Sequence, residues 1–370
     1  MSGLDRCASY EDYRRLARRR VPKLLFDYVD GGSYSETTLR RNIADLADVV
    51  IEQRVARDMS SMTTATTLFD CPLAMPVVLG PVGFAGMYAR RGEIAAARAA
   101  AAAGIPFCLS TVGICSADEL AAAGLPFWFQ LYIVRDRGLV AALIERVRAL
   151  GCDTLVVTID LPTPGTRYRD IRSGMAGRLD AFGHLRQWLD GITHPRWLWD
   201  VHWRGRPHAF GNLEGAAPAA GGFAAAWDWI AANFDNSVTW EDLSGIRAAW
   251  PGRLLIKGIL HAADARAAIA IGADGIIISN HGGRQLDGAA STVSVLPAIS
   301  KAVAGQASVL VDGGIRSGLD VLKMTRAGAD ACLIGRAWVT ALAAGGEKGV
   351  TRMLHQYAAE LRTGRILSGA

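Results

Sequence analysis

A (β/α)8 barrel of the TIM type, with eight parallel strands each followed by a helix, is the fold class this 370-residue sequence predicts. Two observations predict it. Short runs rich in Val, Ile and Leu recur eight times, at 75–80, 106–110, 127–132, 153–160, 254–257, 275–279, 308–312 and 331–335, and each is apolar on both faces, as a parallel strand covered by helices must be. Between them lie Ala-rich stretches of helical length, at 93–103, 117–123, 140–150, 262–271, 318–327 and 349–361. Strands with helical stretches in most of the gaps between them close most simply into a barrel whose active rim is the C-terminal end of the strands.

Two segments lie outside that rhythm. Residues 9–30 read as helix, with a charged face over 13–20, a restart at Pro22 and a stop at Gly31-Gly32; residues 1–74 are therefore taken as an N-terminal helical extension. Residues 172–243 interrupt the pattern between the fourth and fifth strands and read as an insertion. The whole chain, 1–370, is expected to be one barrel domain.

Composition narrows the class. Apolar residues make up 51% and charged residues 20%, which supports a large core and excludes a disordered chain. A net charge of +5 over this length is a solvated surface, and no nucleic-acid partner is expected. The six cysteines are scattered, without the close pairs of metal or dithiol sites, and read as buried residues in a reducing compartment. The N-terminus has no signal-like segment and the chain no apolar run of about 18 residues, so the expectation is a cytoplasmic protein, at most attached to a membrane surface.

The strand ends are where chemistry is expected. The first ends in Pro81-Val82-Gly83, the second at Ser110, the third at Gln130 and Tyr132, the fourth at Thr158 and Asp160 with Arg167 beyond, and the fifth at Lys257. The sixth runs into Ser279-Asn280-His281-Gly282-Gly283-Arg284-Gln285-Leu286-Asp287, the seventh into Asp312-Gly313-Gly314-Ile315-Arg316 and the eighth into Gly335-Arg336. Polar strand ends taken singly are ordinary; so many cations and carboxylates facing one centre are not. His281 can exchange a proton near neutral pH, and the planar fork of Arg284 suits a carboxylate. Glycines and arginines after the last two strands suit a phosphate, and a phosphate tail at the rim implies a cofactor. No G-x-G-x-x-G follows an early strand, so a nicotinamide dinucleotide is not supported.

The motif at 279–287, together with Thr158-Ile-Asp-Leu-Pro-Thr-Pro-Gly-Thr-Arg167, Trp128-Phe-Gln-Leu-Tyr132 and Phe26-Asp-Tyr28, resembles the FMN-dependent 2-hydroxy-acid oxidases and dehydrogenases, in particular their bacterial respiratory, quinone-linked branch that oxidises L-lactate. The likeness spans about residues 10–370. It implies FMN with its phosphate near Gly314, Arg316, Gly335 and Arg336, its ribityl chain near Asp312 and its ring over Pro81, Val82 and Gly83. Ser110, Gln130 and Thr158 would bond the polar edge of the ring, and Lys257 would sit by N1 and the C2 carbonyl, where negative charge gathers on reduction. His281 would be the base and Asp160 its orienting carboxylate; Arg284 and Tyr28, with Arg167 assisting, would hold the substrate carboxylate and Tyr132 its hydroxyl. The reaction implied takes an (S)-2-hydroxy acid to a 2-keto acid, with membrane quinone as acceptor and a homotetramer as the assembly. A mandelate-type dehydrogenase or a soluble, oxygen-using oxidase is the alternative within the family. From another class, a barrel lyase would use Lys257 as a Schiff-base nucleophile. Gly83 replaces an alanine common in the oxidases, which predicts extra room above the flavin.

Within 185–210, Trp188, Trp197, Trp199 and Trp203 alternate with Arg186, Arg196, Arg204 and Arg206. Tryptophan interleaved with arginine suits a membrane interface, and a lid packing its own aromatics is the plainer reading. The resemblance favours peripheral attachment at the cytoplasmic side of the cell membrane.

Overall fold

The computed structural model describes residues 3–175, 180–216 and 222–369. A two-stranded hairpin comes first, β1 (Thr66–Leu68) and β2 (Cys71–Leu73), and eight barrel strands follow: β3 (Val77–Leu79), β4 (Cys108–Ser110), β5 (Trp128–Tyr132), β6 (Thr154–Thr158), β7 (Arg253–Ile259), β8 (Gly275–Ile278), β9 (Ser308–Val311) and β10 (Ala331–Ile334). Neighbours in the order β3-β10-β9-β8-β7-β6-β5-β4 pair in parallel, and a single bridge between Leu79 and Phe107 joins the two ends. The expected barrel is present, with each strand inside or within two residues of its apolar run.

The hairpin corrects the expectation of an all-helical extension before residue 75. Its two turn residues, Phe69 and Asp70, both have positive φ, at 52° and 61°, as a tight right-twisted hairpin requires. Leu68 and Leu73 pack into the same buried cluster as Val78, Val156, Leu255, Ile277 and Leu310 from inside the barrel. The hairpin thus plugs the barrel at the N-terminal ends of the strands, where Arg253 lies 5.8 Å from the Phe69 ring centre. A three-residue strand is too short to show alternation, which is why periodicity missed it.

At the other end the N-terminal helices Tyr10–Arg20, Lys23–Asp30 and Thr37–Ala47 lean over the rim. Asn42 and Asn280 exchange side-chain hydrogen bonds at 2.8 and 2.7 Å, and Thr38 N–H donates to Asp287 at 2.8 Å, so the third helix clasps the loop after β8. Pro22 separates the first two helices where the sequence placed the break. The last two helices, together Arg336–Ser368, are divided at Gly346, whose φ of 62° is not helical.

Between β6 and β7 the described residues form helices Tyr168–Ser173, Ala181–Ile192 and Gly222–Asn233, with short helical turns at Pro195–Trp197, Leu198–Trp203 and Gly211–Leu213, and the chain returns through helix Trp240–Ala249. Val201 and Phe210 are buried, and Trp197 donates its indole N–H to the Met87 carbonyl at 2.8 Å. Trp188, Trp199 and Trp203 are instead 61–63% exposed, alongside Phe182, Leu185, Leu189 and Ile192. Among the described residues no helix is long and apolar enough to cross a membrane.

Candidate active site

A cavity opens at the C-terminal rim, and most of the strand-end residues named from the sequence line it. Tyr28, Pro81, Val82, Gly83, Tyr132, Thr158, Arg167, Lys257, His281, Arg284, Asp312, Gly314, Arg316, Gly335 and Arg336 all face it. Asp160 stands behind His281 instead of on the wall, and Ser110 and Gln130 lie one layer deeper, joined by a 2.9 Å bond from Ser110 Oγ to Gln130 Oε1.

Geometry and charge give the central groups distinct characters. His281 sits at φ 56°, an uncommon backbone conformation for a side chain this size, and its N–H is held at 3.0 Å by Ser279 Oγ. Its Nδ1 is 2.8 Å from Asp160 Oδ1. Burial pushes the His281 pKa down, with Lys257 and Arg284 adding to the effect, while Asp160 opposes it. Burial alone would raise the Asp160 pKa, yet His281 and Lys257 bring it below the usual carboxylate value. The pair is therefore carboxylate and neutral imidazole, with the proton on Nδ1 and the Nε2 lone pair free.

Lys257 Nζ donates to Ser279 Oγ at 2.8 Å and lies 3.2 Å from Asp312 and 3.8 Å from Asp160. Burial works against its charge, but the two carboxylates outweigh it and its pKa rises. A bulge in the β7 register follows Lys257, and Gly258, with φ 112°, lets the strand pass where a Cβ would come within 2.6 Å of Asp160. Tyr132 is driven far up by burial, with Asp160 and Tyr28 contributing, so its hydroxyl keeps its proton.

Arg167 is 6% exposed and pairs with Asp170 at 3.1 Å. Both Arg167 and Arg284 stack on Tyr28, at 5.5 and 4.4 Å from the ring centre. The fork of Arg284 is not wholly open, as the sequence suggested, because Nη1 is spent on the carbonyls of Tyr28 and Gly31. Its Nη2 is buried without a partner.

A model of the FMN-dependent dehydrogenase family matches residues 17–370. The chain is 54% identical over 359 residues to an L-lactate dehydrogenase of Xanthomonas campestris pv. campestris (strain B100), covering 97% of this chain and 92% of that one. It is 53% identical over 360 residues to an L-lactate dehydrogenase of Chromohalobacter salexigens, covering 97% and 91%. Among solved structures, the monotopic membrane protein (S)-mandelate dehydrogenase superposes with a TM-score of 0.92 at 35% identity, covering 99% of this chain and 96% of that one. A mandelate oxidase gives 0.84 at 38% identity, covering 98% and 95%.

The chain belongs to the FMN-dependent dehydrogenase family.

The cavity of this dehydrogenase fits its cofactor, as its own polar atoms show. Thr158 Oγ1, Asp312 Oδ1 and Arg316 Nε, of residues on its wall, and Gln130 Nε2 in the layer behind are buried without hydrogen-bond partners. Each such group costs about 1–3 kcal/mol unless a ligand completes it. A long ligand with a polar ring edge, hydroxyls and an anionic tail matches that string. The Schiff-base alternative is not supported, because the nucleophile there is a neutral amine and Lys257 is held as an ammonium ion.

Sequence reasoning left part of the cavity of the dehydrogenase unnamed. Val112, Leu161, Trp227, Ile230 and Phe234 form its apolar wall. Trp227 meets Tyr28 and Phe84 edge-on at 6.2 and 5.5 Å, and Phe234 meets Tyr132 at 5.4 Å. Three of these five lie at the far end of the insertion, where no local pattern points back to the rim. Ser279 was quoted in the motif without a role, yet it joins Lys257, Asp312 and the His281 backbone.

Gly83 also needs correction. The room its missing methyl would leave is occupied, since a Cβ there would lie 2.7 Å from Val112 Cγ2. Gly83→Ala should therefore destabilise the protein by about 1–3 kcal/mol through overpacking. Denaturant midpoints of Gly83→Ala, Val112→Ala and the double variant check this: relief of the Gly83→Ala cost in the double variant is expected, and a neutral single substitution would show that Val112 turns aside freely.

Proposed function

We propose that this dehydrogenase oxidises (S)-2-hydroxy acids to 2-keto acids, L-lactate to pyruvate first among them, and passes the electrons to membrane quinone. The observation that carries the reading is the His281–Asp160 pair, at 2.8 Å, whose imidazole lines the same cavity as Arg284, a guanidinium with an unpartnered Nη2. A 2-hydroxy acid needs a cation for its carboxylate and a base one bond away, and these residues supply both.

Gly314, Arg316, Gly335 and Arg336 would hold the FMN phosphate, Asp312 the ribityl hydroxyls, and Gln130 and Thr158 the polar edge of the ring. When bound, FMN accepts the two electrons of the oxidation. Arg284 and Tyr28 hold the substrate carboxylate, with Arg167 behind them, and the protonated hydroxyl of Tyr132 donates to the substrate oxygen. His281 takes a proton from the hydroxy acid at Nε2, and Asp160 stabilises the imidazolium that results. Lys257 contributes a fixed positive charge in the same cavity, held by Asp312 and Ser279.

The mandelate-type reading also has an observation in its favour, namely the apolar wall of Trp227, Ile230 and Phe234. The position of Val112 against Gly83 favours the smaller acid. Anaerobic mixing of the FMN-loaded protein with L-lactate, (S)-mandelate and longer 2-hydroxy acids decides between them: L-lactate should bleach the flavin fastest, and failure of every hydroxy acid to do so would end the proposal.

The same proposal places the exposed face of the insertion on an anionic membrane, as a peripheral contact on the cytoplasmic side. Indole rings and aliphatic side chains on the surface of Ala181–Ile192 and the turns after it, flanked by Arg186, Arg196, Arg204 and Arg206, match a bilayer interface. Deleting the segment would also remove the buried Val201 and Phe210, and with Phe210 the ring packed on Phe84 at 5.2 Å, so substitution is the cleaner test. Trp188→Ser, Trp199→Ser and Trp203→Ser together should abolish flotation with anionic vesicles and leave anaerobic flavin reduction within about twofold. Salt should weaken wild-type flotation only in part, because it screens arginine and leaves tryptophan burial intact. Failure of the wild type to float, with peroxide formed at the turnover rate, would identify a soluble oxidase.

A further inference from the structure

Helix Lys23–Asp30 ends at the rim, and arginines take up its last carbonyls. Arg284 Nη1 donates to the Tyr28 carbonyl and to the Gly31 carbonyl, the latter at 3.1 Å. Arg336 donates from Nε to the Val29 carbonyl at 2.9 Å and from Nη2 to the same Gly31 carbonyl at 2.7 Å. Two guanidinium groups, one after β8 and one after β10, therefore share a single acceptor. Like charges so placed repel: burial first, then Arg284 and Arg316, push the Arg336 pKa down to about 9. The helix C-terminus offsets part of that repulsion, since its last carbonyls, which have no partner within the helix, carry partial negative charge.

The turn that presents Gly31 cannot move alone. Ser33 N–H donates to the Gly283 carbonyl at 2.9 Å, and a Cβ on Gly32 would lie 2.7 Å from that carbonyl oxygen. A Cβ on Gly282 would lie 2.7 Å from Arg336 Nη1. The turn after residue 30, the loop carrying Arg284 and the head of Arg336 are thus one packed unit, and a shift of any member displaces the others.

We infer that the Gly31 carbonyl couples Arg284 to Arg336, so that the phosphate end of the cofactor and the carboxylate end of the substrate bind cooperatively. This rests on the assignment of Arg336 to the phosphate and Arg284 to the carboxylate. Each arginine is a positioning residue for the other. With Arg336 withdrawn, the Gly31 oxygen loses one of its two donors, and Arg284 satisfies it by turning further toward the helix, which takes Nη2 away from the cavity. With Arg284 withdrawn, Arg336 is drawn onto Gly31 in the same way and away from the phosphate. Reciprocity then holds between the two ligands: bound FMN changes the affinity for the hydroxy acid by the same factor as bound hydroxy acid changes the affinity for FMN.

Arg284→Lys and Arg336→Lys test this, because lysine keeps the charge and cannot span two acceptors with a rigid fork. FMN titration of Arg284→Lys apoprotein, followed by flavin fluorescence with no hydroxy acid present, should give a dissociation constant about tenfold above wild type. Arg336→Lys, assayed at saturating FMN, should show KM for L-lactate raised about tenfold, by more than any fall in kcat. In the double variant the losses of FMN affinity should be less than additive. A general loss of packing would lower kcat with KM and add fully. Wild-type FMN affinity in Arg284→Lys, or wild-type KM in Arg336→Lys at saturating FMN, overturns the coupling. If Arg336→Lys binds FMN as wild type does, the phosphate assignment fails instead. Arg336→Gln serves the same measurements should the lysine variant not fold.

Discussion

His281→Gln should bind FMN as wild type does and be reduced by L-lactate about 10²- to 10⁴-fold more slowly, or worse, since that is the usual contribution of a positioned base. Glutamine can reach Asp160 but cannot exchange a proton. The pH dependence of the wild type follows from the same residue. Because burial lowers the His281 pKa beneath the ordinary imidazole value of 6.5, the base form persists below neutrality. Activity should then be full near neutral pH and fall as the pH drops through that lowered pKa, where the imidazole becomes protonated. The acid limb of kcat/KM for L-lactate, read by flavin bleaching, should therefore titrate below 6.5. A near-wild-type rate in His281→Gln, or an acid limb centred above 6.5, would remove His281 from this role.

Arg316→Ala combined with Arg336→Ala should yield mostly apoprotein after dilution, with turnover largely restored by excess FMN. Charge-assisted bonds contribute about 1.5–3 kcal/mol each, so losing two of them predicts a dissociation constant raised by some 10²-fold or more. Arg316 is prepared for this task. Its guanidinium lies 4.6 Å over the Tyr10 ring, its Nη1 donates to the Ile315 carbonyl at 2.9 Å, and its Nε is buried with no partner. Full flavin occupancy after dialysis of the double variant would place the phosphate elsewhere.

Most of the barrel is legible in the sequence. A strand covered by helix on one side and barrel core on the other must be apolar throughout, so 275–279 and 331–335 announce themselves. The rim was legible for the same reason, since a polar residue directly after such a run has the cavity as its surroundings. Lys257, His281 and Asp312 all followed from that rule. Segments whose form comes from contacts far along the chain were not legible. The β1–β2 hairpin exists because Leu68 and Leu73 fill the foot of the barrel, and helix Gly222–Asn233 reaches the site only because the insertion folds back on the rim.

The sequence by itself determined the fold class and the polar residues of the cavity wall, because strand periodicity and strand-end chemistry are local properties, and its motifs pointed to the family. Tertiary structure alone decided how those residues are committed. It spent Arg284 Nη1 on the end of a helix more than 250 residues away, and it tied Arg336 to the same Gly31 carbonyl. It also filled the space beside Gly83 with Val112 and set Asp160 behind His281 at 2.8 Å. Each of these is a contact between parts of the chain remote in sequence, and its geometry depends on how closely packed elements interlock, which no local pattern of residues encodes.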